Sequence, residues 1–268
     1  MGKIVTLLTA MLLVLPLGQY ALAQEEASAA SLYNDAVAKL KAKEYEAALD
    51  LMGQALEIAD PESDAQVIKL AKANGARAAY AVGTKNRQGE DYEAALAAYD
   101  TGIEYDPGFY ANYRGRAQAL ESSGAVAESV KAYYKASEVA KAAGEADRAD
   151  SYASKAENIV AVAYGDKAWD DVLAYGNAYL EVAESPDVHY YLSYALKESG
   201  NPSSGLEHVD KALEMGGSTD DGKYLYAKGE ILEDLGQTDA AVGIYKQITS
   251  GKYAERAEYK VNTLSGGR

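Results

Sequence analysis

A chain of 268 residues suits one or two globular domains or a single elongated array, and 48% hydrophobic with 25% charged residues excludes a wholly disordered chain. The absence of cysteine excludes disulfides, thiolate metal sites, a thiol nucleophile and a lipid anchor on a leader cysteine. A formal net charge of −15 repels nucleic acid and anionic membrane surfaces, which leaves basic partners or simple solubility as its meaning.

The first element in chain order is a leader. Lys3 gives a positive start, Ile4 to Leu17 is apolar apart from Thr6 and Thr9, and Ala21-Leu22-Ala23 has the small-x-small form of a peptidase site. The pattern predicts a signal peptide over 1–23, cleavage after Ala23, and a mature chain over 24–268 in the periplasm or outside the cell. Its apolar run is shorter than the roughly 20 residues that a bilayer span needs. No later run is long enough, so no transmembrane segment is expected after cleavage. Without Lys3 the net charge becomes −16.

Beyond the leader the chain repeats itself. Tyr45-Glu46-Ala47-Ala48-Leu49 returns as Tyr92-Glu93-Ala94-Ala95-Leu96, and each copy runs on to an Asp-Pro, at Asp60-Pro61 and Asp106-Pro107. Met52 and Ala55 in the first copy match Tyr99 and Gly102 in the second. Weaker copies follow at Val126, Ser129, Tyr133 and Ala136, then at Trp169, Val172, Gly176 and Tyr179. Two more begin at Pro202 and Thr238. The small markers Ala48, Ala95, Ser129, Val172, Gly205 and Ala241 are separated by 47, 34, 43, 33 and 36 residues. A helical stretch and a break precede each segment. The breaks hold Gly89, Gly124, Gly165, Gly200 and Gly236, with Lys43-Glu44 in the first unit. Glycine suits such turns because positive φ costs it nothing. Gly83, Ala117, Ser193 and Gly229 each lie 12 residues before their markers, where a small side chain lets two helices of a hairpin approach.

These residues resemble the tetratricopeptide repeat family, a 34-residue helix–turn–helix with small and aromatic residues at fixed offsets and a closing proline. The unit around Ala76 to Pro107 fits best, through Gly83, Tyr92, Ala95, Tyr99 and Pro107. The fourth and fifth units depart from it, with Val172 and Gly205 where alanine is usual. The resemblance covers most of 24–268 and implies an all-α fold: a right-handed α-α superhelix of about six hairpins. Repeats are expected near 29–61, 76–109, 110–143, 153–185, 186–218 and 222–251, with a capping helix over 252–264. Glu62 to Ala76 and Ala142 to Ser151 read as lengthened first helices, because alanine-rich stretches such as Ala140 to Ala146 favour helix over loop. One hairpin cannot bury its own apolar face, so stacking supplies the core. Met52, Tyr99, Tyr133 and Tyr245 should fill the space between helices. The 23 tyrosines suit a thin protein, since a ring can pack while its hydroxyl stays near water.

No catalytic pattern is present. His189 and His208, the two histidines of the chain, read as unrelated residues on two helices of one unit, and no metal or cofactor is implied. Ser250-Gly251-Lys252 resembles the end of a phosphate loop, but the earlier glycine is replaced by Lys246. The chain is therefore read as no enzyme.

In the family the first helix of each hairpin lines a concave surface where peptides bind. The frame puts Tyr33, Tyr80, Arg114, Glu157, Tyr190 and Tyr226 at one inward position, and Gln118, Tyr194 and Glu230 one turn on. Tyrosine and arginine are rich in binding energy, although tyrosine serves packing equally well. Tyr33, Tyr80, Arg114, Gln118, Tyr190, Tyr194 and Tyr226 are thus the candidate groove residues. The lysine and asparagine pattern with which some family members grip a carboxylate terminus is missing, and Thr84 stands among its replacements. The expected function is a scaffold of the cell envelope that binds a protein or peptide of basic or apolar character. Self-association as a structural envelope protein and small-ligand binding stand as alternatives.

Overall fold

The computed structural model describes residues 28–216 and 222–266. The leader lies outside the described residues, as does the end of the stretch read as a fifth repeat. The described residues form helices and turns, in the order α1 (Ala29–Lys41), α2 (Tyr45–Ile58), α3 (Ala65–Gln88), α4 (Tyr92–Tyr105), α5 (Tyr110–Ser122), α6 (Val126–Ala142), α7 (Ala146–Gly165), α8 (Trp169–Leu180), α9 (Pro186–Glu198), α10 (Pro202–Glu214), α11 (Lys223–Asp234), α12 (Thr238–Tyr245) and α13 (Ala254–Gly266). Among them no helix is long and apolar enough to cross a membrane.

Each helix packs on the next in sequence, so the chain folds into a stack of antiparallel hairpins. First helices of successive hairpins also touch: α1 with α3, α3 with α5, α7 with α9, and α9 with α11. The step from the third hairpin to the fourth runs through α6, which packs along both α7 and α8. Ala48, Ala95, Ser129, Val172 and Ala241 are fully buried where second helices meet first ones. Met52, Tyr99, Tyr133 and Tyr245 fill the adjoining space and are themselves buried. The core is therefore a seam along the stack rather than a centre.

The turns share one mechanism. After α5, the Ala125 N–H donates to the Leu120 carbonyl at 2.9 Å and the Gly124 N–H to the Glu121 carbonyl at 3.2 Å. This pair of bonds closes a helix through one residue in the left-handed region. The same pair recurs after α1, α3, α6, α7, α9 and α11. The left-handed residue is Gly124, Gly144, Gly200 or Gly236 in four of the turns, but Lys43, Glu90 and Lys167 in the others, at φ of 61°, 62° and 57°.

Three expectations are corrected here. Gly89 has φ of −86° and hands the left-handed position to Glu90, and Gly165 ends α7 two residues before Lys167 takes it. The alanine-rich stretch Ala140 to Ala146 is not a continuous helix. Gly144, at φ of 81°, stops α6, and Glu145 N–H caps Ala140 at 2.9 Å. The extra residues are shared between the end of α6 and the start of α7, because a glycine placed for this cap overrides alanine propensity. By contrast α3 does take up the Glu62 to Ala76 stretch, running from Ala65 over 24 residues.

A left-handed conformation costs an L-residue roughly 1–2 kcal/mol, while glycine loses about 0.5–1 kcal/mol of chain entropy. Glu90→Gly and Lys167→Gly are therefore each expected to stabilise the fold by about 0.5–1 kcal/mol. Thermal melts should move upward; an unchanged or lower midpoint would show that these turns carry no strain.

Candidate functional site

The largest concentration of functional side chains lies on first helices at the C-terminal end of the stack. Each helix there presents a pair four residues apart, which puts both side chains on one face. They are Tyr190 and Tyr194 on α9, Tyr226 and Glu230 on α11, and Arg256 and Lys260 on α13. With Tyr164 from the end of α7 and Tyr253 before α13, these groups line a cavity of about 790 Å³. Tyr259 stands exposed at its edge.

The rings interlock. Tyr164 lies 5.5 Å from Tyr190 and 4.7 Å from Tyr191, centroid to centroid, and Tyr190 lies 5.2 Å from Tyr194. Tyr226 lies 5.1 Å from Tyr253. The tilted and edge-on arrangements among them suit the ring quadrupoles. The Tyr164 and Tyr190 hydroxyls are 3.0 Å apart, and the Tyr194 hydroxyl donates to Glu230 Oε2 at 2.5 Å. Burial pushes the Tyr190 phenol well above its usual range, and burial with the charge of Glu230 does the same to Tyr194. Tyr164 and Tyr226 are raised by burial too. Tyr164, Tyr190, Tyr194 and Tyr226 thus stand as neutral phenols around the Glu230 carboxylate, with Glu255, Arg256 and Lys260 also on the lining.

Tyr190, Tyr194 and Tyr226 are brought together here, although Tyr190 and Tyr226 are largely buried. Tyr80 and Arg114 meet elsewhere, between α3 and α5. Arg114 donates to the Tyr80 hydroxyl, and its guanidinium carbon lies 5.6 Å from the Tyr80 ring centre. Tyr80 also sits edge-on to Phe109 at 6.2 Å. Tyr33 accepts a hydrogen bond from Asn74 Nδ2 at 3.0 Å, which ties α1 to α3. Gln118 is half-buried on α5, one turn beyond Arg114. Tyr164, Tyr253, Arg256 and Lys260 were missed. The inward frame picks Glu157 on α7, whereas Tyr164 reaches in from two turns later, and α13 reads from sequence only as a cover.

His189 and His208 are not unrelated. His189, buried, lies with Nε2 at 2.9 Å from Glu184 Oε2 and Nδ1 at 2.9 Å from His208 Nδ1. The carboxylate accepts, so a neutral His189 donates from Nε2 and accepts at Nδ1 from His208 Nδ1–H. Among the described residues no group of three or more His, Asp or Glu side chains is arranged to hold a metal. Burial and then the neighbouring His189 hold His208 below its ordinary value, with Lys211 adding to this and Glu207 and Glu184 opposing it. The unfolded chain therefore binds a proton that the folded chain resists. Stability is intact above the unfolded value of 6.5 and falls as pH drops below it. Denaturation midpoints are expected to decline from pH 7 to pH 5, and His208→Gln to flatten that decline. Parallel curves for the two proteins would assign the acid sensitivity elsewhere.

A stack of antiparallel hairpins, closed by a repeated cap and joined through small-residue seams, defines a helical-repeat solenoid. A family model described as tetratricopeptide repeat matches residues 86–153, from the end of α3 into α7. Residues 86–153, about a quarter of the chain's length, thus carry tetratricopeptide-repeat sequence. No curated protein matches it. Among solved structures, it is similar to PilF of Pseudomonas aeruginosa at 16% identity, with 90% of this chain and 97% of that one covered and a TM-score of 0.36. A tetratricopeptide repeat protein of Thermus thermophilus matches at 14% identity over 89% and 99% of the two chains, with a TM-score of 0.31. The TPR2AB domain of yeast Sti1, solved in complex with pHSP90, matches at 14% identity over 88% and 98%, with a TM-score of 0.36.

Proposed function

We propose that this protein is a non-catalytic interaction scaffold of the cell envelope, which takes a protein or peptide segment along the groove formed by its first helices. The tyrosine cavity carries this reading. It is open, it is lined from four helices, and it offers rigid rings, neutral hydroxyl donors and a carboxylate, the residue types from which interface hot spots are built. Tetratricopeptide repeats present such surfaces without a catalytic constellation of their own. Support for the envelope location comes from the leader-like sequence over 1–23, and N-terminal sequencing of the fractionated protein should find Gln24 first.

The test is crosslinking in living cells with a photoreactive residue at Tyr80 or Tyr259, and at Glu104 on a second helix as control. The groove positions should capture the same partner and Glu104 none. Capture from Glu104 alone, or from no position, would remove the groove reading. End-to-end self-association stands as a second reading, supported by Ile58, which is 51% exposed beside Leu32 on the first hairpin. Light scattering that shows a strict monomer at high concentration would remove it.

A further inference from the structure

The groove reading leaves open what chemistry the bound segment must carry. We propose, resting on that reading, that the tyrosine cavity accepts a cationic side chain of the partner, a lysine ammonium or an arginine guanidinium, held against Glu230 among the rings of Tyr194, Tyr226 and Tyr253.

The first ground is the state of Glu230. It is half-buried in the cavity wall and accepts the Tyr194 hydroxyl, but no ion pair among the described residues reaches it. Three of the neighbouring cations are committed to other carboxylates, while Arg256 lies over the Tyr253 ring. Lys260 Nζ holds Glu233 at 2.8 and 3.1 Å, Lys223 Nζ holds Asp187 at 2.5 Å, and Lys197 Nζ lies 2.8 Å from Glu198 and 3.4 Å from Asp234. Glu230 is thus a half-buried carboxylate among phenols, with one hydroxyl as its donor and only the longer-range attraction of Lys260 to offset its charge, and a cation in direct contact would complete it.

The second ground is the behaviour of the rings. The protein's own cations already sit over them: Lys223 Nζ lies 4.9 Å from the Tyr190 ring centre, Lys197 Nζ 5.8 Å from that of Tyr194, and the Arg256 guanidinium carbon 6.0 Å from that of Tyr253. These rings therefore work as cation platforms on the sides the structure fills. The cavity is lined by Tyr194, Tyr226 and Tyr253 together with Glu230. The long-range field agrees, since the chain carries −15; within the lining Glu230 and Glu255 face Arg256 and Lys260, and Lys260 is already paired with Glu233. Arg256, at the mouth, is the native competitor for the site.

The purified full chain is titrated calorimetrically with N-acetyl-lysine methylamide, its ε-acetylated form, and choline. The lysine compound is expected to bind saturably, the ε-acetylated form at least tenfold more weakly, and choline no better than lysine. Glu230→Gln should weaken lysine binding about tenfold with the circular dichroism of the folded chain retained. Arg256→Gln, a change at an exposed position, should strengthen binding several-fold, so the proposal stays testable even if the Glu230 variant misfolds. Choline binding without lysine binding would overturn the side-chain assignment in favour of a quaternary ammonium ligand. Equal affinity for lysine and its acetylated form, or weaker binding by Arg256→Gln, would overturn the cation chemistry. A partner crosslinked from Tyr80 beside a failed titration would leave the groove reading intact and sink only this inference.

Discussion

Gly115→Ala is expected to destabilise the protein by about 1–2 kcal/mol, although it replaces a helical glycine with the best helix former. The reason is the ring of Tyr99. It is fully buried between α3 and α5, and it has a glycine on each side. A Cβ at Gly83 would lie 2.7 Å from its Cε1, and a Cβ at Gly115 would lie 2.3 Å from the same atom. Its hydroxyl is held 3.2 Å from Thr84 Oγ1. The ring cannot retreat from one glycine without striking the other. Carbon atoms normally meet at roughly 3.5–4.0 Å, so the methyl group forces the two helices apart. Overpacking of this kind costs about 1–3 kcal/mol and sometimes more, against a propensity gain near 1 kcal/mol. The clash wins. The control is Gly243 on α12, where an added Cβ meets nothing within 4 Å. There the propensity term stands alone, and Gly243→Ala should stabilise by up to about 1 kcal/mol. Denaturant titration of both variants decides the matter, and a Gly115→Ala midpoint at or above that of the parent chain would refute the packing account.

The same ring shows how much the sequence reveals. The spacing from Gly83 to Ala95 to Tyr99 was legible because all three recur at fixed offsets along one chain. Gly115 was not, since its partner belongs to the preceding hairpin and no offset within its own unit marks it. The turns divide in the same way. Where glycine occupies the left-handed position, as at Gly124, Gly200 and Gly236, the sequence points to the turn directly. Where Glu90 and Lys167 occupy it, a nearby glycine misleads by one or two residues, because tertiary packing tolerates about 1 kcal/mol of local strain. At the candidate site the inward frame brought out Tyr190, Tyr194, Tyr226 and Glu230, which share two positions on successive first helices. It could not show that Tyr80 and Arg114 satisfy each other, or that α13 contributes a wall. Nor could it pair His189 with His208, because the contact depends on how α9 and α10 rotate about their axes.

The way α13 is attached leads to the second large effect. Of its residues only Ala257 is buried, so apolar contact alone holds it weakly. What fixes it is Glu233 at the end of α11. This carboxylate accepts the Tyr245 hydroxyl at 2.5 Å from within its own hairpin and takes Lys260 Nζ of α13 at 2.8 and 3.1 Å. An equivalent link joins the third hairpin to the fourth: Tyr133 donates to Glu121 at 2.7 Å, and Lys155 of α7 reaches the same carboxylate at 2.8 Å. In both cases the tyrosine follows the glutamate by 12 residues, so α13 is docked by the device that docks a full repeat. Glu233→Ala leaves the buried Tyr245 hydroxyl without its acceptor, at a cost of about 1–3 kcal/mol, and releases Lys260. Lys260→Gln removes only a partly exposed ion pair and should cost less than about 1 kcal/mol. Because repeat proteins open locally, the loss should appear at α13 first. Amide hydrogen exchange over 254–266 is expected to quicken by about ten- to a hundredfold in Glu233→Ala, while α3 to α6 keep their protection. Since Tyr253, which leads into α13, lines the tyrosine cavity and supplies one of the rings proposed to hold the cation, lysine binding should fall with it. Exchange at α13 unchanged from the parent chain would mean that the helix is held by other contacts, and that the Tyr–Glu–Lys link is incidental to the end of the stack.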